Sequence, residues 1–328
     1  MDRSVCPNPN PSFGATLLLM RSKVTSKNKT LPISLSKILV AIDGSEDSDY
    51  ALNIAIKIAE KYSSHIVLLH VKSPATSAVA VSGPIMDPIL GASPMLVPSA
   101  AIEKPKEPAQ LLETRRALVA ERNITVNSEL VESVDVSGEI LKRSESGNYN
   151  LVVVGSRGLS GLKSFFLGSV SLKVAKEAKS SVLLMKNRIE GVPKIIVGYD
   201  GSDESKKALE WAKDLAQKFH AHITVLSIVS IPVSGDGYVL SNVDKWEKEA
   251  NQMIEETVSK IKSEGIDADG KVTEYTDISR AIAEEAERGA YDIVVVGSRG
   301  RGRLRSLFLG SVASGVANTS KTNVFIVR

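Results

Sequence analysis

One seven-residue string, Val-Val-Val-Gly-Ser-Arg-Gly, occupies residues 152–158 and again residues 294–300, and each copy leads on to Leu-Gly-Ser-Val. Both copies read as GxxGx9GS: Gly155, Gly158, Gly168 and Ser169 in the first, Gly297, Gly300, Gly310 and Ser311 in the second. With glycine at about 7% of residues, three at these offsets arise by chance about 0.1 times in a chain of this size, so the doubling carries the signal. Glycines just past a strand bring backbone amides within reach of a ligand and permit positive φ. The Gly168-Ser169-Val170-Ser171 stretch then opens a helix whose first turn offers unpaired N–H groups and about half a positive charge. A hydroxyl from Ser169 or Ser171 adds a donor. That chemistry seats a phosphate. The competing reading is structural: Gly168 lets helix and sheet approach, and Ser169 caps the helix.

Two more residue types are placed to serve the same ligand. Asp43 and Asp200 open an Asp-Gly-Ser at the end of a predicted strand, where an aspartate either contacts a ligand or closes an Asx-turn. Arg157 and Arg299 lie inside the glycine loops, as phosphate partners or as solvated side chains. The second loop adds Arg301, Arg303 and Arg305, but without aromatic neighbours a solvated basic face fits better than a nucleic-acid surface. Other signatures fail. No GK(S/T) follows the glycines, so the P-loop lysine and its Mg2+-holding hydroxyl are missing, and GxGxxG, GxSxG, HExxH and kinase motifs are absent. The loops hold no Glu or His to activate water. The expectation is binding without a catalytic residue, with hydrolysis at most slow.

The elements that must position these residues follow from hydropathy. Runs at 38–42, 66–71, 124–131, 151–154 and 182–185 are rich in Val, Ile and Leu without strict alternation, as in strands buried on both faces. Between them Ala51, Ile54, Ala55, Ile58, Ala59 and Tyr62 recur at helical spacing, and Ala208, Trp211, Ala212, Leu215, Ala216 and Phe219 repeat the pattern. The order βαβαβαβαβ in each half predicts an α/β fold of two similar doubly wound domains, each a five-stranded parallel sheet with helices on both faces. Ligands of such sheets bind at the carboxyl ends of strands. If the Asp-Gly-Ser and the glycine loop serve one site, strands one and four are neighbours, which gives the order 3-2-1-4-5.

The repeat extends beyond the loops. Lys37-Ile-Leu-Val-Ala-Ile-Asp-Gly-Ser matches Lys194-Ile-Ile-Val-Gly-Tyr-Asp-Gly-Ser, and the glycine loops follow at a shorter offset, so the first copy carries an insertion. The boundaries read as an extension at 1–34, disordered or preceding a true start at Met20, a first domain at 35–188 and a second at 189–328. With 43% hydrophobic and 24% charged residues and a net charge of +3, composition alone does not argue for nucleic acid. The single cysteine, Cys6, excludes a disulfide framework or CxxC metal site. His65, His70, His220 and His222 fall in or beside the second strands with no clustered Cys or carboxylate partner, so no metal site is expected. No apolar run reaches the roughly 18 residues of a membrane span, and a cytoplasmic protein is inferred.

At this point the chain resembles the universal stress proteins in their tandem form, from about Ser36 to Arg328. The resemblance rests on the Asp-Gly-Ser after strand one, His70-Val71 ending strand two, and GxxGx9G(S/T) after strand four, the pattern of the family's ATP-binding members. It implies that Asp43 and Asp200 sit at the adenosine end, beside Ala41 and Gly198, with Val71 and Ile228 flanking the base. Gly155, Gly158, Gly168, Ser169, Val170 and Ser171 become phosphate and ribose contacts, as do Gly297, Gly300, Gly310, Ser311 and Val312, with Arg157 and Arg299 as further phosphate contacts. Two departures stand out: Ser181 and Asn323 replace the family's usual Pro before the last strand, and Ala313 replaces Ser171 in the second copy. The implied function is a stress-response regulator binding ATP or AMP in both domains, with Mg2+ held through the phosphates. The alternative is an interaction module of the same fold that binds no nucleotide. Implied partners are the nucleotide and an unidentified protein. An intramolecular pseudo-dimer is implied through pairing of the strands at 182–185 and 324–327 across a pseudo-twofold axis, and a homodimer is to be tested. The insertion at 73–102, with Asp87 its one charge, reads as a lid, an interface or a poorly ordered loop.

Overall fold

Unbroken aliphatic runs give strands covered on both faces. The computed structural model describes residues 33–74, 107–158, 167–231, 237–300 and 309–328, with side chains from 243 onward in the helix that begins at Gly237. The first half forms β1 (Lys37–Ala41), β2 (His65–Lys72), β3 (Val126–Glu132), β4 (Leu151–Gly155) and β5 (Ser181–Met185). The second forms β6 (Lys194–Gly198), β7 (His222–Ser230), β8 (Ala268–Tyr275), β9 (Ile293–Gly297) and β10 (Asn323–Val327). Intervening helices are α1 (Glu46–Tyr62), α2 (Pro108–Ala120), α3 (Val136–Ser146) and α4 (Ser169–Glu177), then α5 (Asp203–Phe219), α6 (Gly237–Ser263), α7 (Ile278–Arg288) and α8 (Ser311–Thr319). Nearly all of the 1–34 extension, the body of the 73–102 insertion and Arg301, Arg303 and Arg305 lie outside the described residues.

Within each half the strands are parallel in the order 3-2-1-4-5, with β1 against β4 through Val40 and Val153 and β6 against β9 through Val197 and Val295. The pairing expected of the last strands joins the two five-stranded units. β5 and β10 pair antiparallel, Leu183 opposite Phe325, and merge the halves into one ten-stranded sheet. Both strands are buried along their whole length, so pairing satisfies backbone groups that an open edge would leave exposed.

Alternating strand residues feed two apolar layers. Ile38, Val40, Val153 and Phe325 pack with α1, α2, α5 and α6. Leu39, Val152, Val154 and Ile326 pack with α3, α4, α7 and α8. Trp211 of α5 meets Phe325 of β10 edge-on at 5.2 Å between ring centres. No helix among the described residues is long and apolar enough to cross a membrane.

The seam also carries a reciprocal cation lock. Lys186, just past β5, donates through Nζ to the carbonyls of Ala317 (2.8 Å) and Ser320 at the end of α8. Arg328, just past β10, donates to Ala175 (2.6 Å) at the end of α4. Each cation thus meets the negative end of the other half's last helix. The side chains that stand in place of the family's proline hold the adjoining backbone: Asn323 Oδ1 accepts from Lys186 N (2.8 Å), and Ser181 Oγ from Arg328 N (3.2 Å). Burial, with Arg157 adding repulsion, lowers Lys186 from the ordinary lysine value to about 8.

Candidate functional site

The Asp-Gly-Ser segments build the strand-to-helix turns at the carboxyl ends of β1 and β6. Asp43 Oδ1 accepts from the Ser45 amide (2.9 Å) and hydroxyl (2.5 Å). Gly44 adopts φ +85°, and Ser45 caps α1 by accepting from Ser48 N. The second half repeats the device with Asp200, Gly201 at φ +77° and Ser202. The Asx-turn reading of these aspartates therefore holds, while both residues also line a cleft.

The glycines of the loops serve space rather than torsion. None of Gly155, Gly158, Gly297 and Gly300 has positive φ, so of the two freedoms glycine offers there, close approach is the one used. A Cβ on Gly155 would stand 2.7 Å from the Asp47 carbonyl carbon and one on Gly297 2.7 Å from that of Glu204, so these two let the first turn of α1 or α5 cross the strand end. A Cβ on Gly158 would lie 2.7 Å from Asp43 Oδ2. Asp43 is thus beside Gly158, because the pairing of β1 with β4 brings their carboxyl ends together.

Gly168 and Gly310 are the N-caps of α4 and α8, with extended backbone and no side-chain cap; Ser169, considered as the cap, occupies the first helical position instead. The cap amides bond the carbonyls of Ser156 and Ser298, each at 2.8 Å. The next amides, of Ser169, Val170 and Ser171 and of Ser311, Val312 and Ala313, form first turns with no intrahelical acceptor. The Ser171 hydroxyl, expected as a ligand donor, instead donates to the Gly155 carbonyl at 2.6 Å.

The two arginines differ. Arg157 is neither loose nor a bare phosphate contact. Its Nε and backbone N each reach Asp47 Oδ2 at 3.1 Å, and the buried Ser156 hydroxyl joins the same oxygen at 2.7 Å. Asp47, its side chain 9% exposed, fastens the first glycine loop, a role that the sequence reading missed. In the second half Glu204 takes this position and pairs with Lys207 at 3.2 Å. Arg299 Nε is buried with no hydrogen-bond partner among the described residues.

These parts enclose one cleft per half. The first, about 190 Å³, gathers every residue anticipated for it: Ala41, Asp43, Val71, the three glycines, Arg157 and the helix start from Ser169 to Ser171. The second, about 850 Å³, gathers Gly198, Asp200, Ile228, its three glycines, Arg299, Ser311 and Val312. Sequence reasoning did not name the apolar floor, Leu69, Ile140 and Val154 in one cleft and Leu226, Ile282 and Val296 in the other. His70 Nδ1 donates to the Ile42 carbonyl at 2.7 Å, fixing the end of β2 against the turn. His222, expected without carboxylate partners, lies between Asp267 (2.9 Å) and Asp269 (3.4 Å) at the other end of β7. No cluster suited to a metal ion occurs among the described residues.

Comparison with known proteins agrees with the fold. The universal stress protein family model matches residues 35–186 and 191–328. A universal stress protein of Mycolicibacterium smegmatis is 29% identical over 314 residues, covering 89% of this chain and 96% of that one. YxiE, a universal stress protein of Bacillus subtilis, is 32% identical over 152 residues, 46% of this chain and 99% of its own. Among solved structures, a universal stress protein from Archaeoglobus fulgidus aligns with a TM-score of 0.57 at 22% identity, covering 90% of this chain and 99% of that one. A functionally unknown Pseudomonas aeruginosa protein reaches a TM-score of 0.66 at 17% identity, with 90% and 92% covered.

Proposed function

Because the chain belongs to the universal stress protein family, whose model matches it twice, we propose that it is a cytoplasmic stress-response regulator that binds an adenine nucleotide at the carboxyl ends of its sheet. One observation carries the reading. Of the helices that start at the clefts, α1 and α5 are capped by Ser45 and Ser202, and α3 and α7 by Asp135 and Asp277. The helices that follow the glycine loops, α4 and α8, have no side-chain cap; α2 has none either, but it begins with Pro108, which has no amide N–H to offer, and it lines neither cleft. An anion supplies what the missing cap would, since the first-turn amides and the helix dipole both favour negative charge.

The phosphates belong at Ser169–Ser171 and Ser311–Ala313, with Arg299 the better placed guanidinium because Arg157 already holds Asp47. The base lies over the apolar floor, near Val71 in one cleft and Ile228 in the other. Mg2+, if carried in, is held by the phosphates. Burying an adenine face of about 150 Å² at about 25 cal/mol/Å² contributes about 4 kcal/mol. Two or three charge-assisted hydrogen bonds at about 1.5 to 3 kcal/mol each add a comparable amount. After the cost of immobilising the ligand, an affinity near −8 kcal/mol, about micromolar, is within reach.

Equilibrium dialysis with labelled ATP on the wild type and on Gly168→Val/Gly310→Val tests the reading. Retention by the wild type and loss in the variant support it. A wild type that retains no nucleotide leaves the interaction module as the function.

A further inference from the structure

The two clefts are not copies of each other, and the difference lies at the base end. α6 is 27 residues long where its counterpart α2 has 13. Counted back from the helix ends, its added turns include Trp246 and Glu249, and no described residue of the first half stands in their place. Trp246, Glu249, Ala250 and Met253 recur at helical spacing and all line the second cleft, opposite Ile278 and Ile282 of α7 and beyond Ile228 at the end of β7. Trp246 is one of the few large apolar side chains left exposed among the described residues, at 37%. An indole that lines a cleft while 37% exposed, with no ring contact among the described residues, is suited to meet a flat ligand.

Resting on the nucleotide reading above, we infer that Trp246 is a base-stacking residue that makes the second cleft the tighter of the two and selective for ligands bearing an aromatic base. Three features of this cleft act together. Trp246 and the polarisable thioether of Met253 supply a stacking surface. Glu249 repels phosphate from that end and so fixes the ligand's direction, with its anionic tail toward Gly310. Arg299 lacks the carboxylate that holds Arg157. The volumes agree: the second cleft, at about 850 Å³, is roomier than the first, at about 190 Å³.

The chain has two tryptophans, and Trp211 is in the seam against Phe325, so Trp211→Phe leaves Trp246 as the sole reporter of the second cleft. ATP titrated into that variant is expected to quench Trp246 fluorescence at the dissociation constant of the tighter of two sites resolved by calorimetry. Trp246→Leu weakens ATP at this site by about tenfold, Trp246→Phe restores most of the loss, and inorganic tripolyphosphate, which has no base, binds the wild type and Trp246→Leu alike. Circular dichroism and thermal melts of the variants verify folding. ATP binding that leaves Trp246 fluorescence unchanged, or equal weakening of ATP and tripolyphosphate in a folded Trp246→Leu, overturns this inference while leaving the nucleotide reading intact. Absence of any ATP binding overturns both.

Discussion

Asp47→Ala is the perturbation that separates the two halves of the molecule most sharply. The carboxylate gathers the Ser156 hydroxyl, the Arg157 amide and the Arg157 guanidinium onto one oxygen. Ser156 is 2% exposed, so losing its acceptor leaves a dry hydroxyl, at a cost of about 1 to 3 kcal/mol. The amide loses a charge-assisted bond of about 1.5 kcal/mol or more, while the guanidinium, 42% exposed, loses little because water replaces its partner. Lys186 also loses the negative charge that offsets the Arg157 repulsion on it. Relief from burying the carboxylate offsets part of this, leaving a net destabilisation of about 3 kcal/mol. Urea unfolding followed by fluorescence measures it, and calorimetry with ATP measures the consequence at each site. The first site loses affinity because its loop is no longer fastened. The second is unchanged because Glu204 pairs with Lys207 instead. A loss below about 1 kcal/mol, together with an unaltered first site, would refute the claim that Asp47 organises the loop.

Gly155→Ala and Gly297→Ala each place a methyl within 3 Å of helix backbone, and each is expected to cost about 1 to 3 kcal/mol in urea unfolding; a neutral result would mean that helix and strand separate freely. Gly191→Ala meets nothing within 4 Å but keeps φ at +68°, so a smaller cost of about 1 kcal/mol is expected from torsion alone. Lys186 gives a pH signature: between about pH 8 and the ordinary lysine range the unfolded chain holds a proton that the folded chain has released. Its contribution to stability therefore rises with pH across that window and falls away as pH drops through 8. The stability difference between wild type and Lys186→Met, measured at intervals from pH 7 to 10, is expected to shift in favour of wild type as pH rises; a flat difference contradicts the burial of that amine.

Much of the fold was legible because its signals are local or repeated. Aliphatic runs such as that at β4 have no polar face to conceal, and Asp-Gly-Ser declares a turn in which Gly44 needs left-handed torsion. The order 3-2-1-4-5 followed from placing two polar features on one sheet edge. What escaped was contact between distant residues. Asp47 looks like any acid in a first helical turn, where it favours the dipole, and nothing local marks it as the partner of Ser156 and Arg157. Lys186 and Arg328 simply follow the last strands in sequence, and nothing local shows that each grips a helix of the other half. Spacing offers the hydroxyl of Ser169 or Ser171 as a ligand donor and cannot show that the Ser171 hydroxyl donates to the carbonyl of Gly155. The sequence reading also passed over Trp246 and Met253, since their importance depends on α6 reaching past the end of β7.

The central claim is that the uncapped starts of α4 and α8 receive phosphate. A crystal structure of the protein with ATP tests it most directly: phosphate oxygens within hydrogen-bonding distance of the amides at residues 169–171 or 311–313, with the base over Val71 or Ile228, are predicted. Nucleotide bound elsewhere, or both helix starts holding only solvent at saturating ATP, would contradict it.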